Sequence, residues 1–218
     1  MSFSFQEHVA LFGGTFNPPH VGHVQAAQDL FNEPKVANVM VLPSYGNPLK
    51  KAVTAYADRF EMSKLAFTDF EVSRFEEEEK IEFTWQLLEK MATRHSKIAF
   101  VIGTDQFADL ERWSRFPEVL GLSDWIVLLR RPSRVADSEV PIQNLIKLGI
   151  LQSTSDRYTF QVRAGGQSRI LRFVQTTAPL VSSTHIREQF ALGNPESVQH
   201  LLPESVYAFI ERKKLYGT

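Results

Sequence analysis

Two histidines, His20 and His23, stand at i and i+3 in the run Gly13-Gly14-Thr15-Phe16-Asn17-Pro18-Pro19-His20-Val21-Gly22-His23. An apolar stretch, Val9–Phe12, precedes the run, and an amphipathic stretch, Val24 to Phe31, follows it. That order predicts a strand, a tight loop and a helix. The spacing puts both imidazoles on one helix face, beside free backbone N–H groups and the positive end of the helix dipole. Such a place suits a phosphate. Gly13 and Gly14 allow a ligand close to the backbone, and Pro18 and Pro19 suit the start of a helix, where a missing N–H costs nothing. Adjacent phosphates would favour the charged imidazoles. The alternative for either histidine, His20 above all, is that it caps or braces the loop.

A second constellation lies far downstream, Val181-Ser182-Ser183-Thr184-His185-Ile186-Arg187. Ser182, Ser183 and Thr184 can cap a helix while offering N–H and hydroxyl donors. Arg187 follows Thr184 at i+3, on the same face, and can grip anionic oxygens with two N–H groups. Alone this would read as an ordinary helix cap.

Together the two runs resemble the HxGH nucleotidyltransferase superfamily. The GGTFxPxHxGH form, with an ISSTxIR-like second motif, is similar to that of the nicotinate/nicotinamide mononucleotide adenylyltransferases. Val181 stands for the isoleucine of the second motif. The resemblance covers residues 9–131 and 172–216. It implies a Rossmann-like nucleotidyltransferase fold and transfer of AMP from ATP to nicotinate mononucleotide, giving the dinucleotide and pyrophosphate. Under it, His20 and His23 contact the α- and β-phosphates of ATP, and Arg187 the pyrophosphate oxygens. Gly13, Gly14, Thr15, Phe16, Ser182, Ser183 and Thr184 complete the phosphate site. Lys50 and Lys51, otherwise solvated lysines, and Arg131 would add charge. Gly103-Thr104-Asp105 resembles a GxD turn whose carboxylate accepts ribose hydroxyls, with helix capping as the competing role for Asp105. Trp113 resembles a tryptophan that stacks on the pyridine ring, as cation–π attraction would favour. The competing role for Trp113 is core packing. Phe83-Thr84 resembles a Tyr-Thr step against the mononucleotide, with phenylalanine in place of tyrosine, and donors near Thr84 and Ser114 would hold a carboxylate. Asn17, also implied to contact the mononucleotide, occupies a position where many bacterial nicotinate enzymes carry Asp.

The chemistry agrees with these residue types. A mononucleotide phosphate is already an ionised nucleophile, so no general base is required. In-line positioning and charge cancellation are, with magnesium accompanying ATP. The same chemistry on nicotinamide mononucleotide, phosphopantetheine or a polyol phosphate is the nearest alternative. A non-enzymatic nucleotide sensor is another. A hydride-transferring enzyme is disfavoured because GxGxxG spacing is missing, and no Walker-type loop occurs.

The elements that must position these residues alternate. Strands are expected at Val9–Phe12, Val36–Leu42, Lys97–Ile102, Trp125–Leu129 and Arg172–Thr176. Helices are expected at Val21–Phe31, Asp58–Phe67, Thr84–Arg94, Asp105–Glu111, Ser183–Leu192 and Pro203–Lys214. Continuous apolar strands between helices predict an α/β fold, a parallel sheet with helices on both faces. Ligands then sit at the carboxyl ends of the strands. The 218 residues are read as one domain with a helical carboxyl-terminal part and an insertion at 132–169. The insertion is expected to hold a helix around Ile142–Leu148, a β excursion around Tyr158–Val162 and a turn at Gly165-Gly166. Glu76-Glu77-Glu78-Glu79 reads as a solvated connector.

Composition bounds the partners. Net charge is −1, which makes no case for a nucleic-acid or membrane surface. With no cysteine, disulfides, thiolate nucleophiles and Cys-ligated zinc are excluded. No signal peptide or membrane span is legible, so a soluble cytoplasmic protein is expected. Homo-oligomerisation stays open.

Overall fold

The structure is a computed structural model that describes residues 3–32, 34–46, 54–130 and 133–217. Lys50, Lys51 and Arg131 lie outside the described residues. The chain opens with β1 (Val9–Gly14), α1 (Val21–Asn32) and β2 (Asn38–Pro43). Next come α2 (Tyr56–Ala66), the short β3 (Glu71–Val72), the single-turn α3 (Phe75–Glu78) and α4 (Thr84–Ala92). Then β4 (Ile98–Gly103) leads into α5 (Thr104–Ala108), and β5 (Asp124–Arg130) follows two 3₁₀ turns. The strands β3, β2, β1, β4, β5 and β8 (Gln167–Thr176) run parallel in that order.

Period-2 alternation sorts each strand's side chains between two cores. Leu11, Met40, Leu42, Phe100, Ile102 and Val127 face one core, with Leu87 and Met91 of α4 and Phe107 of α5. Ala10, Phe12, Val39, Val41, Val101 and Ile126 face the other. There Ala27 and Leu30 of α1 and Met62 of α2 cover them, with Ile186 and Phe190 of α7 (Ser183–Ala191) and Val206 and Ile210 of α8 (Glu204–Lys213). Helices thus cover both faces, as expected for buried parallel strands.

The segment expected as an insertion departs from the all-parallel expectation. It forms α6 (Glu139–Lys147), β6 (Leu151–Ser153) and β7 (Thr159–Ala164), and β6 and β7 extend the sheet antiparallel beyond β8. The expected helix and β excursion are present. The strand expected from Arg172 instead starts at Gln167, because the turn at Gly165 and Gly166 folds it back on β7. Both glycines have positive φ, +63° and +75°, the backbone that a two-residue hairpin requires. A cleft of about 860 Å³ opens here, bordered by Arg134, Tyr158 and Gln175.

The solvated-connector reading of the acidic run is wrong for its first residue. Glu76 lies in α3, is 7% exposed, and accepts a 3.0 Å hydrogen bond from the Tyr45 N–H. Burial pushes its carboxyl up to about 7, against the opposing pull of that N–H and of Arg59. The apolar neighbours Phe75 and Ile81 bury the turn, an effect that a four-glutamate string conceals.

The stretch between β8 and α7 is tied to α1. Asp29 of α1 accepts from the Thr176 hydroxyl and, at 2.6 Å and 3.0 Å, from the Thr177 N–H and hydroxyl. Asp29→Ala should therefore destabilise the protein by about 1–3 kcal/mol through the unpaired donors. Urea unfolding measures this, and a midpoint equal to wild type would refute the tie.

Candidate active site

Strand β1 ends the way a nucleotide site needs. Gly13 and Gly14, expected in the loop, are its last two residues and pair with Leu42 and Pro43. A Cβ on Gly14 would lie 2.8 Å from the Phe16 ring, so packing within the loop already demands glycine there. Phe16 takes a left-handed φ of +47°, costly for an aromatic residue. Its ring is held edge-on against His23 and Phe67, at 5.1 Å and 5.2 Å between centroids. The Asn17–Pro18 peptide is cis.

The two histidines then cap their own helix. His20 precedes α1, and its carbonyl accepts from the N–H groups of His23 (2.9 Å) and Val24 (3.2 Å). Its Nδ1 also accepts from the His23 N–H at 3.3 Å. The Nδ1 of His23 accepts in return from the His20 N–H, at 3.3 Å. This is the geometry of a capping box, with imidazoles in place of a hydroxyl and a carboxamide. The rings stack with centroids 3.6 Å apart and 19° between planes. Because each Nδ1 accepts, each proton sits on Nε2; the tautomer follows from the hydrogen-bond pattern. No hydrogen bond among the described residues occupies either Nε2–H. Gly22 belongs to the same arrangement, since a Cβ there would lie 2.8 Å from the Pro179 carbonyl and 3.1 Å from the His20 ring.

Without an anion the pair is neutral. His20 is 2% exposed, and burial followed by the positive charge of Arg130 pushes it down to about 4. His23 is held well below its ordinary value by burial, by His20 and by Arg130. The expected phosphate would work in the opposite direction.

The second motif meets the first directly. Ser182 caps α7, its Oγ accepting from the His185 N–H at 3.3 Å. Ser183 Oγ donates to the Pro18 carbonyl at 2.9 Å. Arg187 donates to the Asn17 carbonyl at 2.7 Å and to Thr184 Oγ1 at 3.2 Å. The starts of α1 and α7, two positive helix ends, therefore converge beside the strand ends. Gly103 ends β4, next to β1 in the sheet, and exposed Asp105 lies in the first turn of α5. The order 3-2-1-4-5 reverses direction between β1 and β4, where open α/β sheets take their ligands.

The remaining expected residues stand apart from this cluster. Phe83 and Thr84, partly exposed, form the start of α4, where Gln86 Oε1 accepts from the Phe83 N–H at 3.0 Å. Trp113 is partly buried, edge-on to Phe100 (6.3 Å) and Trp125 (6.0 Å), and Ser114 beside it is exposed. No hydrogen bond or ring contact among the described residues joins these four to the histidine pair.

Three contributors escaped the sequence reading. Arg59, in the first turn of α2, is 3% exposed and donates to the carbonyls of Thr15 (2.8 Å), Ser44 (2.9 Å) and Thr54 (3.2 Å). Arg130, at the end of β5, supplies the charge felt by both histidines. Tyr216 donates to Asn17 Oδ1 at 2.7 Å. Sequence spacing carries no signal for Arg59, whose partners are all backbone atoms of other elements.

The cytidylyltransferase-like family model matches residues 11–189. A Caldicellulosiruptor bescii protein named "Probable nicotinate-nucleotide adenylyltransferase" is 32% identical over 213 residues, covering 95% of this chain and 98% of its own length. A protein of the same name from Pseudomonas fluorescens is 31% identical, with 96% and 97% covered. Among solved structures, the Plasmodium falciparum nicotinic acid mononucleotide adenylyltransferase complexed with NaAD has a TM-score of 0.72 at 14% identity, covering 96% of this chain and 97% of that one. At that identity the likeness concerns the fold.

The neutral pair makes stability depend on pH. The unfolded chain binds protons below about 6.5, while folded His20 resists them down to about 4. Its contribution is thus full above 6.5 and falls as pH drops toward 4, by up to about 1.4 kcal/mol per pH unit. His20→Asn keeps a capping oxygen but does not titrate. Between pH 6.5 and 5 it should lose about 1–2 kcal/mol less stability than wild type. Equal losses in urea unfolding would mean that His20 is not buried neutral.

Proposed function

The chain belongs to the cytidylyltransferase-like family, and from that premise we propose that it is a nicotinate-nucleotide adenylyltransferase. A phosphate oxygen of nicotinate mononucleotide attacks the α-phosphorus of ATP. The bond from the α-phosphorus to the α,β-bridging oxygen breaks, and nicotinate adenine dinucleotide and pyrophosphate leave. Relatives at about 30% identity that span nearly the whole chain carry this activity in their names. The observation that carries the reading is the union of the two motifs through the Asn17 and Pro18 carbonyls, which sets two helix starts and a neutral histidine pair at one place.

In this reading the two Nε2–H groups, the α7 amides and Arg187 bind the triphosphate and the charge that builds on the leaving pyrophosphate. The gain comes from donors already oriented by the capping box, with little reorganisation during reaction. Asp105 accepts ribose hydroxyls, and the exposed part of Trp113 covers the pyridine ring beside Phe83, Thr84 and Ser114. Among the described residues no group of three or more His, Asp or Glu is placed to hold a metal. In this reading magnesium belongs to the substrate, arriving bound to ATP.

No described helix is long and apolar enough to cross a membrane. Incubation with ATP and either pyridine mononucleotide, with pyrophosphate release followed, tests the reaction. Dinucleotide should form, faster with the nicotinate form. His23→Ala should reduce the rate about 100- to 1,000-fold while circular dichroism stays native. A loss under tenfold would remove His23 from the phosphate site.

Trp113 has a separable expectation. Trp113→Ala should weaken mononucleotide binding about fivefold or more and leave ATP binding nearly intact, and Trp113→Phe should recover part of the loss. A tryptophan that only packs on Phe100 and Trp125 would instead lower the melting temperature and weaken both ligands together.

A further inference from the structure

Tyr216 lies far from the phosphate motifs in sequence, yet its hydroxyl reaches the middle of the first one. Its backbone is left-handed, with φ +67°, as is that of Phe16 beside the residue it meets. Unfavourable backbone on both sides of one contact marks a contact that the surroundings enforce. The Tyr216 ring packs against Phe190 of α7, with centroids 6.2 Å apart. Burial pushes its hydroxyl up to about 12, against the pull of Thr54, Arg187 and Arg59, so it remains a donor at neutral pH.

Asn17, the receiver, is 4% exposed and held at two points. Its carbonyl takes Arg187, and its Oδ1 takes the Tyr216 hydroxyl at 2.7 Å. The Asn17 amide nitrogen has no hydrogen-bond partner among the described residues. An amide pinned by its oxygen has one orientation left for its N–H₂ group. That nitrogen is not among the fully buried polar atoms left unpaired, so it keeps access to solvent or a ligand.

We infer that Tyr216 is a positioning residue for the acceptor: its hydroxyl fixes the Asn17 carboxamide so that the free N–H₂ donates to an oxygen of the mononucleotide. The inference rests on the adenylyltransferase reading for the identity of that ligand. The positioning itself rests only on the geometry. Asn17 supplies the contact and Tyr216 acts through it.

Tyr216→Phe removes the hydroxyl and keeps the ring against Phe190. At saturating ATP, kcat/KM for nicotinate mononucleotide should fall about five- to tenfold, the range of one lost hydrogen bond. The KM for ATP should stay within about twofold. Adding Tyr216→Phe to Asn17→Ala should cost nothing further, because the two residues act as one unit. Unchanged constants, fully additive losses, or a rise in both KM values together with a lower Tm would each overturn the inference. A second measurement does not depend on turnover. The side-chain amide signal of Asn17 in ¹⁵N-labelled protein, identified by its loss in Asn17→Ala, should shift in Tyr216→Phe. An unmoved signal would overturn the positioning. Wild-type protein that makes no dinucleotide would overturn the assigned reaction and the kinetic half of the inference, and the amide signal decides the other half independently.

Discussion

The reciprocal cap between His20 and His23 works only while both Nδ1 atoms are unprotonated. Everything around the pair maintains that state. The stacked rings leave little room for water, burial disfavours charge, and Arg130 adds a repulsive field. The same constraint aims both Nε2–H groups outward. A helix start normally satisfies its first N–H groups with a serine or an aspartate. Here the residues that satisfy them are also the donors proposed for the ligand. Spacing at i and i+3 is therefore a structural requirement of the cap as well as the pattern proposed for the phosphate site.

The loop that carries the pair is built from carbonyl groups claimed by distant cations and hydroxyls. Arg59 takes Thr15, Arg187 takes Asn17 and Ser183 takes Pro18. None of these bonds involves a carboxylate. Glu76 lies within electrostatic reach of Arg59, but no ion pair among the described residues ties Arg187 or Arg130 to a carboxylate, which leaves a positive potential at the strand ends. That potential suits a polyphosphate. The arrangement also explains why Phe16 tolerates a left-handed backbone: three anchors on neighbouring residues over-determine it.

The sheet's far edge follows a different logic. Parallel β5 and β8 need a crossover, and the intervening chain spends part of its length on β6 and β7 before returning. Two positive-φ glycines fold β7 onto the first half of β8. The second half of β8 pairs with β5, and Asp29 then directs the chain toward α7. In this way the segment carrying β6 and β7 helps to set where α7 begins.

The sequence by itself determined the strand–loop–helix unit, the alternation of elements, the pairing of two phosphate motifs and the family. These rest on local signals: apolar periodicity, prolines and glycines at fixed offsets, and donors at a helix start. It also determined the Gly165-Gly166 turn, because positive φ is readable from residue type. It misread Glu76, since burial by Phe75 and Ile81 is not visible in a run of like charges. It was silent on β3 and β6, which are too short for periodicity to show. Only the tertiary structure decided that the histidines are neutral and cap each other, because desolvation depends on what surrounds them. Only it could place Arg59 and Tyr216. Their partners are backbone carbonyls 5, 15 and 44 residues away for Arg59 and the Asn17 amide oxygen 199 residues away for Tyr216, and a backbone carbonyl is the one acceptor that every residue type carries alike.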